Sequence, residues 1–290
     1  MKNKVYYWSP FVSEVATVKS VINSASSINK YLKNDYEAYI IDVYGEFEKF
    51  ENEIKKKNIN LIKFSRSGIV NYFSKPGYFR SRFLYIFIFF RYFFPLLSLL
   101  KKNPPSVLII HLITSLPLVL NLLFNIKTKI ILRISGLPKL NFFRKYLWKI
   151  SLKKIALVTT PTVSTLKDFE RYKIINNEKI MVLRDPIIIN KEICSKKNES
   201  IEFTEKNLIK NNYFLSIGRL SKQKNFSFLI KNIKHFLEND PSLKLVIIGI
   251  GEDKERLIKQ IKNYNLEEKI ILLGFKTNVF KYFKNCKALI

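Results

Sequence analysis

Short apolar runs typical of β-strands alternate along the first part of the chain with longer amphipathic stretches typical of α-helices. The predicted strands lie at residues 4–8, 38–43, 60–64, 106–111, 129–134 and 155–160. Helical patterns fill the intervals, for example at residues 15–32 and 141–152. Strands spaced by helices form βαβ units, which assemble into a parallel sheet. The alternation therefore predicts an α/β fold.

The same alternation returns in the last third of the chain. It follows a predicted strand at residues 179–183 and a linker at 184–200 that contains Pro186 and then becomes polar. Beyond the linker, predicted strands at 213–217, 243–248 and 269–273 alternate with predicted helices near 226–237, 253–263 and 279–285. We therefore predict two Rossmann-like domains, residues 1–185 and 186–290. Residues 287–290 resemble the start of a further strand, so we expect the second domain to be incomplete and the sequence truncated relative to its architecture.

The charge of the chain is strongly positive and unevenly distributed. The formal net charge is +28, and residues 54–167 contain 21 Lys and Arg but no Asp or Glu. A block this basic is expected to attract a polyanion or an anionic membrane surface. The alternative is compositional drift toward lysine, but drift does not explain why acidic residues are missing from one region only.

Cysteine and histidine are too sparse to suggest a disulfide framework or a metal centre. Cys194 and Cys286 are predicted to be buried thiols in a reducing compartment, and His111 and His235 are far apart in the sequence. We therefore expect no metal site. The first residues, MKNKVYYWSPF, contain no signal-peptide core and no small-residue cleavage site. We interpret them as the first strand of a cytoplasmic protein.

One segment, FLYIFIFFRYFFPLLSLL at residues 83–100, is apolar enough to raise the question of a membrane span. A span here would place strands that should share one sheet on opposite sides of a membrane. We instead predict a helix that packs on the sheet and presents an aromatic, arginine-rimmed face to the lipid interface. The alternative is an ordinary core helix whose arginine, Arg91, is solvated.

A second feature combines glycine with cations where a predicted strand ends. Gly218 and Arg219 follow the strand at 213–217, and Lys224 lies five residues beyond Arg219. Gly249 and Gly251 follow the next strand. Loops at the carboxyl ends of parallel strands lead into helix N-termini, where glycine lets backbone N–H groups approach a phosphate. The pattern predicts an anion-binding site for a diphosphate gripped by the two cations.

The segment SIGRLSKQKNFSFLI resembles the opening of the nucleotide-binding domain of the family 4 (group 1) glycosyltransferases, which have the GT-B fold. LKLVIIGIGEDKERL and EEKIILLGFKTNVFKYFKNCKALI resemble the two stretches that follow it in that family. The resemblance implies that Arg219 and Lys224 are catalytic residues on the donor diphosphate. It also implies that Gly218, Gly249 and Gly251 line the diphosphate side of the donor site. The family's paired glutamates have no counterpart in residues 286–290, so the donor site is expected to be half present.

The first domain resembles the family more loosely, through KVYYWSPF, VLIIHLITSLP, KIILRISGLP and VTTPTVSTL. The resemblance places the acceptor side of the cleft at the loops after these strands, with candidate residues Ser13, His111, Arg133, Ser135 and Gly136. Ser135 lies near the place where many members carry a histidine. The loop of residues 9–13 contains no glycine, although many members have a glycine-rich loop there.

The resemblance implies a retaining glycosyltransferase that moves a sugar from a nucleotide diphosphate sugar to a cell-surface glycan or lipid-linked acceptor of lipopolysaccharide, O-antigen or capsule type. It implies no metal ion and no cofactor besides the donor. With the basic block, it predicts a cytoplasmic protein held peripherally on the inner face of the cell membrane. Two alternatives stay open. One is an inactive truncated fragment that binds a membrane or a partner. The other is a basic nucleic-acid-binding protein, although contiguous apolar residues in the basic block favour a protein that binds no nucleic acid.

Overall fold

The computed structural model describes residues 2–11, 16–65, 78–136, 141–209 and 212–290. It divides into two compact units, Met1–Ile187 and Ile188–Ile290. The predicted boundary, between residues 185 and 186, lies two residues earlier. Both units are built from parallel strands connected by helices, which confirms the predicted α/β fold.

The described strands of the first unit form a seven-stranded parallel sheet in the order β3-β2-β1-β4-β5-β6-β7. The strands are β1 (Asn3–Trp8), β2 (Tyr36–Asp42), β3 (Asn60–Lys63), β4 (Val107–Ile110), β5 (Lys129–Arg133), β6 (Leu157–Thr160) and β7 (Ile180–Val182). The helices are α1 (Ala16–Tyr31), α2 (Glu51–Lys56), α3 (Tyr78–Arg91), α4 (Phe93–Lys102), α5 (Ser115–Leu123), α6 (Phe142–Lys153) and α7 (Val163–Tyr172). Because the order of strands reverses between β1 and β4, a crevice is expected at their carboxyl ends.

Alternating side chains of β1 lie on the two faces of this sheet. Val5 and Tyr7 pack with α1 and α2 in one apolar cluster. Tyr6 and Trp8 belong to a larger cluster that includes residues of α3, α4, α5, α6 and α7. A strand covered on both faces buries both sets of side chains, which explains why the sequence of β1 is apolar almost throughout.

The predicted helix at residues 83–100 is two helices, α3 and α4, bent by 43° at Tyr92. Pro95 explains the break, because proline has no N–H and its ring crowds the carbonyl four residues earlier. A buried stripe faces the sheet at every fourth residue: Leu84, Ile88, Tyr92, Leu96 and Leu100. Among the described residues, no single helix has the length and apolarity to cross a membrane; the bent pair passes on length and composition only.

The second unit contains a four-stranded parallel sheet in the order β10-β9-β8-β11. Its strands are β8 (Tyr213–Ile217), β9 (Lys244–Ile248), β10 (Ile270–Gly274) and β11 (Ala288–Leu289), and its helices are α8 (Asn190–Lys197), α9 (Phe203–Ile209), α10 (Phe226–Asn239) and α11 (Lys254–Asn263). The apolar faces of α10 and α11 cover one side of β8, β9 and β10. The strand expected within residues 287–290 is confirmed as β11, which pairs with β8.

Three sequence-based expectations were wrong in detail. The predicted linker at 184–200 contains α8, which packs against a 3₁₀ turn at Phe280–Tyr282 of the same unit. That turn is the only regular structure within the predicted helix at 279–285. Cys194, predicted to be buried, is exposed on α8, and Cys286 is partly buried. The linker was predicted from its polar composition. The helix α8 was missed because it has few apolar residues and none that is buried, so its sequence carries no apolar stripe.

Candidate functional site

The loop between β8 and α10 carries the predicted donor-side cations. Gly218 directly follows β8, and Lys224 ends a 3₁₀ turn, Lys222–Lys224. Asn225, in the left-handed conformation with φ of 52°, then leads into α10. Arg219 and Lys224 are both exposed. The loop therefore presents two cations to solvent between the carboxyl end of a strand and the N-terminus of a helix.

Gly218 lies against the side chain of Lys224. A Cβ atom built on Gly218 would be 3.6 Å from both Cγ and Cδ of Lys224, which is ordinary van der Waals contact. The stem of the lysine thus follows the strand end while its ammonium group stays accessible. The structure brings these two predicted residues together, and their role in binding a diphosphate stays a prediction.

Gly249 and Gly251 have a packing role that the sequence reasoning missed. A Cβ on Gly249 would lie 1.8 Å from the carbonyl oxygen of Gly218, and one on Gly251 would lie 2.1 Å from that of Leu220. Gly249 also has a φ of +155°, which side chains rarely adopt. The glycines were predicted to let backbone approach a phosphate. The structure shows that they let the loop after β9 approach the loop after β8.

Backbone hydrogen bonds hold these two loops together. The N–H of Gly218 donates to the carbonyl of Ile248 at 3.0 Å, and the N–H of Leu220 donates to that of Ile250 at 3.0 Å. The sheet pairing of β8 and β9 thus continues past the strand ends. Arg219 lies between the two donors, so its backbone is fixed on both sides.

At the carboxyl edge of the first unit, the structure joins His111 to Ser135. His111 follows β4 and is 3% exposed, and its Nε2 lies 2.7 Å from the hydroxyl oxygen of Ser135, which is exposed beyond β5. Within the described part of the chain, His111 Nδ1 has no hydrogen-bond partner. The sequence had marked both residues as acceptor-side candidates without predicting their contact.

The imidazole of His111 is neutral at physiological pH. Burial, with a further contribution from the positive charge of Arg133, lowers the pKa of His111 to about 4, and Asp185 opposes this only in part. A neutral imidazole can accept or donate one hydrogen bond at Nε2, depending on its tautomer. The pair thus presents the Ser135 hydroxyl to solvent with one of its hydrogen-bonding positions already occupied.

The loop that carries His111 is strained. Leu112 has a φ of 63°, a left-handed conformation that a branched side chain rarely adopts. The indole Nε1 of Trp8 donates to the carbonyl of Ile113 at 2.7 Å and holds the loop in place. Such strain persists only where the surroundings over-determine the backbone, and it clusters at functional sites.

Arg133 lies in a buried network. Its Nη2 is ion-paired with Asp185 Oδ1, and its exposed fraction is only 6%. Ser20 Oγ donates to the same carboxylate at 3.0 Å, and Arg133 Nη1 donates to Ser24 Oγ at 3.4 Å. The tyrosine hydroxyl of Tyr7 lies 2.9 Å from Ser24 Oγ. Sequence reasoning marked Arg133 but missed its partners, which come from α1 and from the segment after β7.

A cavity of about 240 Å³ opens next to these residues. It is lined by Leu112, Thr114, Arg133, Ile134, Ser135, Gly136 and Trp148. Three of the predicted acceptor-side residues therefore line one cavity: Arg133, Ser135 and Gly136. His111 does not line it but contacts the hydroxyl of Ser135. Ser13, the remaining candidate, lies outside the described residues.

A buried carboxyl pair at the same edge was not predicted. Asp42 ends β2 and accepts a hydrogen bond from the N–H of Gly45 at 3.0 Å. Glu46 accepts from the N–H of Tyr44 at 2.8 Å. Burial, with a further contribution from the neighbouring Asp42, raises the pKa of Glu46 well above its usual value. The acidic pair shapes the turn after β2.

No cluster of three or more metal-ligating side chains occurs among the described residues.

Comparison with known proteins bears on both units. Residues 198–290 match the family model for the glycosyl transferases group 1. An uncharacterized glycosyltransferase of Methanocaldococcus jannaschii is 30% identical over 211 residues, which are 67% of this chain and 52% of the relative. The Campylobacter jejuni N-acetylgalactosamine-N,N'-diacetylbacillosaminyl-diphospho-undecaprenol 4-alpha-N-acetylgalactosaminyltransferase is 32% identical over 173 residues, which are 57% of this chain and 45% of the relative. The chain thus spans about half the length of the curated relatives it matches.

Solved structures with low sequence identity share the fold. A glycosyltransferase from Rickettsia africae superposes with a TM-score of 0.70 at 17% identity, covering 99% of this chain and 72% of that one. Anabaena HepE in complex with UDP and glucose superposes with a TM-score of 0.70 at 13% identity, covering 99% and 73%.

The two parallel-sheet units and these structural neighbours define the class: the protein has the GT-B fold. The family match and the relatives are more specific than the fold, and they confirm the predicted resemblance to the group 1 glycosyltransferases.

Proposed function

We propose that the protein is a retaining glycosyltransferase that moves a sugar from a nucleoside diphosphate sugar to a glycan or lipid-linked acceptor used in building a cell-surface polysaccharide. One observation carries the proposal. Arg219 and Lys224 are both exposed on the loop between β8 and α10, inside the stretch that matches the group 1 glycosyltransferases.

On the donor side, the two cations bind the diphosphate. The guanidinium of Arg219 can donate two parallel hydrogen bonds to phosphate oxygens, and Lys224 adds a point charge at the start of α10. The N–H groups and the dipole at the start of this helix add to the attraction. Since these groups already compensate the charge of the diphosphate, we propose, following the resemblance, that neither a metal ion nor a further cofactor takes part.

In the reaction, the bond between the anomeric carbon of the sugar and the diphosphate breaks. A bond forms between the same carbon and a hydroxyl oxygen of the acceptor, whose proton is released, and the nucleoside diphosphate leaves. Negative charge grows on the diphosphate as its bond to the sugar breaks. Arg219 and Lys224 stabilise this charge in the transition state, and such preorganised charges are a large term in catalysis.

On the acceptor side, the cavity beside β4 and β5 binds a hydroxyl-bearing group. The exposed hydroxyl of Ser135 is oriented by the buried, neutral imidazole of His111. Among the described residues, none comes within 4 Å of the position of a Cβ on Gly136, so we propose that a ligand approaches its backbone. We propose that Arg133 positions this edge of β5 through Asp185 rather than contacting substrate directly.

The class of acceptor is inferred from charge and from one relative. The acid-free basic block favours an anionic or membrane-bound acceptor. The name of the Campylobacter jejuni relative describes an acceptor carried on diphospho-undecaprenol. We propose an acceptor of lipopolysaccharide, O-antigen or capsule type, and a protein that works peripherally at the inner face of the cell membrane. The outer face of α3 and α4, where Phe90 and Phe94 are exposed, contributes to that attachment.

The proposal is tested by calorimetric binding of nucleoside diphosphate sugars to the whole chain. The panel contains UDP- and GDP-linked sugars and UDP alone, which is bound in the Anabaena HepE structure. We expect Arg219→Ala to weaken binding at least roughly tenfold, since it removes charged hydrogen bonds to the diphosphate. Lys224→Ala is expected to have a smaller effect in the same direction.

Lys222→Ala is the matched control, because Lys222 is an exposed lysine of the same 3₁₀ turn. It should leave affinity within about twofold. If all three variants bind like the wild type, the donor site lies elsewhere and the assignment of Arg219 and Lys224 is wrong. If no nucleoside diphosphate sugar binds the wild type, the proposed function itself is wrong.

A further inference from the structure

The first two turns of α6 expose apolar side chains that a helix of this kind normally buries. Phe142 is 93% exposed, Phe143 67%, Tyr146 60% and Leu147 44%. Every residue from Asn141 to Leu147 is exposed. Within the described part of the chain, the residues of α6 that belong to the apolar core are Trp148 and the buried Leu152, both in the second half of the helix. The beginning of α6 therefore presents its large apolar side chains to solvent.

This part of α6 is also basic. Arg144, Lys145 and Lys149 are exposed among the aromatic residues, and the helix contains no acidic side chain. It lies within the 114-residue stretch, 54–167, from which Asp and Glu are absent. Aromatic rings combined with lysine and arginine suit the boundary between lipid headgroups and acyl chains. There the rings insert, and the cations bind anionic headgroups.

The helix starts in a fixed conformation. Asn141 caps it, with its side-chain oxygen accepting a hydrogen bond from the N–H of Arg144 at 2.9 Å. The ring of Tyr172 on α7 lies 6.0 Å from the ammonium nitrogen of Lys145. Because α6 is already capped and contacted by α7, its start does not have to become ordered when it binds a partner surface. This lowers the entropic cost of binding.

The location of this surface connects it to the acceptor side. α6 follows β5, so its N-terminus lies at the carboxyl edge of the sheet, the edge that carries the His111–Ser135 pair. Trp148, on the next turn of α6, lines the same cavity as Ser135. A membrane that received the start of α6 would therefore bring the headgroups of its lipids close to the cavity.

We propose that the first two turns of α6, Asn141–Leu147, insert into an anionic phospholipid surface and hold the acceptor-side cavity at the membrane. This inference rests on the proposed function, because it supplies the means by which a lipid-linked acceptor reaches that cavity. A protein surface is a poorer fit, because the exposed rings are interleaved with cations and the surrounding block is acid-free. A protein-binding helix needs a continuous apolar face.

The test measures binding of the whole chain to vesicles by co-sedimentation. The vesicles contain phosphatidylcholine alone or phosphatidylcholine mixed with phosphatidylglycerol. We expect wild-type protein to bind the mixed vesicles, and the double variant Phe142→Ser, Phe143→Ser to bind them at least roughly tenfold more weakly. The matched control is Phe228→Ser, Phe236→Ser, which removes two phenylalanines that are 63% and 61% exposed on α10 of the second unit. It should bind like the wild type.

A second measurement locates the insertion. Phe142→Trp adds a reporter to a chain whose two tryptophans are Trp8, which is fully buried, and Trp148. Brominated lipids should quench its fluorescence well beyond the quenching seen for the wild type. Equal quenching in both proteins, or equal vesicle binding by the α6 variant and the α10 control, would overturn the proposal. So would self-association in sedimentation velocity that the α6 variant abolishes without any vesicle binding.

The outcome is separable from the proposed function. Binding of nucleoside diphosphate sugars depends on the β8–α10 loop and should be unchanged in the α6 variant. If the α6 variant binds donor and vesicles like the wild type, only the membrane inference is wrong. If the wild type binds vesicles through α6 but binds no donor, the proposed function is wrong and the inference that α6 binds lipid is kept.

Discussion

The carboxyl edges of the two sheets contrast in how their functional residues are held. In the second unit, the two predicted cations lie on one loop, separated by only a few residues, and both are exposed. In the first unit, the polar residues are mostly buried and bonded over long distances in the chain. Ser20 and Asp185 are 165 residues apart, and Arg133 and Asp185 are 52 apart. One site is a local motif, and the other is a tertiary network.

The contrast shows where single substitutions should act. Exposed cations on a loop contribute little to folding, since solvent screens them, and a ligand can reach them. Buried charged groups must be paired, because an unpaired charge in the interior is costly. Variants of the network at the first edge should therefore reduce stability, whereas variants of the cations at the second edge should reduce binding.

The largest expected effect comes from breaking the buried ion pair. Arg133→Met leaves the Asp185 carboxylate, which is 19% exposed, without its partner. Removing one member of such a pair costs about 3–5 kcal/mol in the free energy of unfolding. Urea unfolding followed by tryptophan fluorescence measures this, because both tryptophans lie in the first unit.

A surface ion pair provides the control for that substitution. Lys63→Met removes an ammonium group 3.4 Å from Glu51, in a pair that is partly open to solvent. Its cost should be far smaller than that of Arg133→Met, because solvent screens an exposed ion pair. If the two substitutions cost the same, Arg133 is not in a tightly held network, and the contrast between the two edges fails.

The next effect tests how closely the two loops of the second unit pack. Gly249→Ala would put a methyl group 1.8 Å from the carbonyl oxygen of Gly218 on a backbone with a φ of +155°. Steric overlap and backbone strain together should destabilise the protein by about 3 kcal/mol. Far-UV circular dichroism during urea unfolding is the measurement.

Gly218→Ala is the companion substitution, because its methyl group would meet only ordinary contacts at 3.5 Å and beyond. A change below about 1 kcal/mol is expected for it. A similar loss from both substitutions would mean that close packing of the two loops does not require glycine at position 249. The second edge would then lack the rigid support proposed for Arg219.

A smaller, pH-dependent effect is expected at His111. Its pKa is about 4 in the folded protein against 6.5 in an unfolded chain, so the unfolded state binds more protons between these values. The neutral histidine therefore costs no stability above pH 6.5, and protonation of the unfolded state lowers the free energy of unfolding as the pH falls from 6.5 toward 4. The loss relative to pH 7 is about 2 kcal/mol at pH 5.

His111→Gln should remove this pH dependence while keeping a side chain that can bond to Ser135. The measurement is the difference in free energy of unfolding between wild type and variant at pH 7 and pH 5. The variant should lose less stability on acidification than the wild type. An identical pH profile would show that His111 is not a buried neutral group. The proposal that His111 orients the Ser135 hydroxyl would then be wrong.

Much of the fold could be predicted because strand and helix patterns are local. Every predicted strand is present, with ends displaced by only a few residues, and the parallel pairing follows from the alternation of strands and helices. The failures occurred where local pattern and tertiary context disagree. Residues 83–100 read as one helix, but Pro95 breaks it into two. Residues 190–197 read as a linker, yet they form a helix.

The two candidate sites differ in the same way. The placement of Arg219 and Lys224 on one loop after a strand was predictable, because glycine after a strand followed by nearby cations is a pattern within one loop, and their role in binding a donor stays a prediction. The contact of His111 with Ser135, the burial of Arg133 against Asp185 and the exposure of the aromatic residues at the start of α6 were not predictable from local pattern. Each depends on which strands lie side by side and on which helix faces remain uncovered.

By itself, the sequence determined the α/β class, the succession of strands and helices, the presence of two cations on one loop and the acid-free basic block, because each depends on neighbouring residues. The tertiary structure alone decided which polar groups became partners, why Gly249 must be a glycine and which aromatic residues stayed exposed. The physical reason is that hydrogen bonds, ion pairs and burial depend on distances in space, and the packing of the sheet brings together residues that the chain keeps far apart.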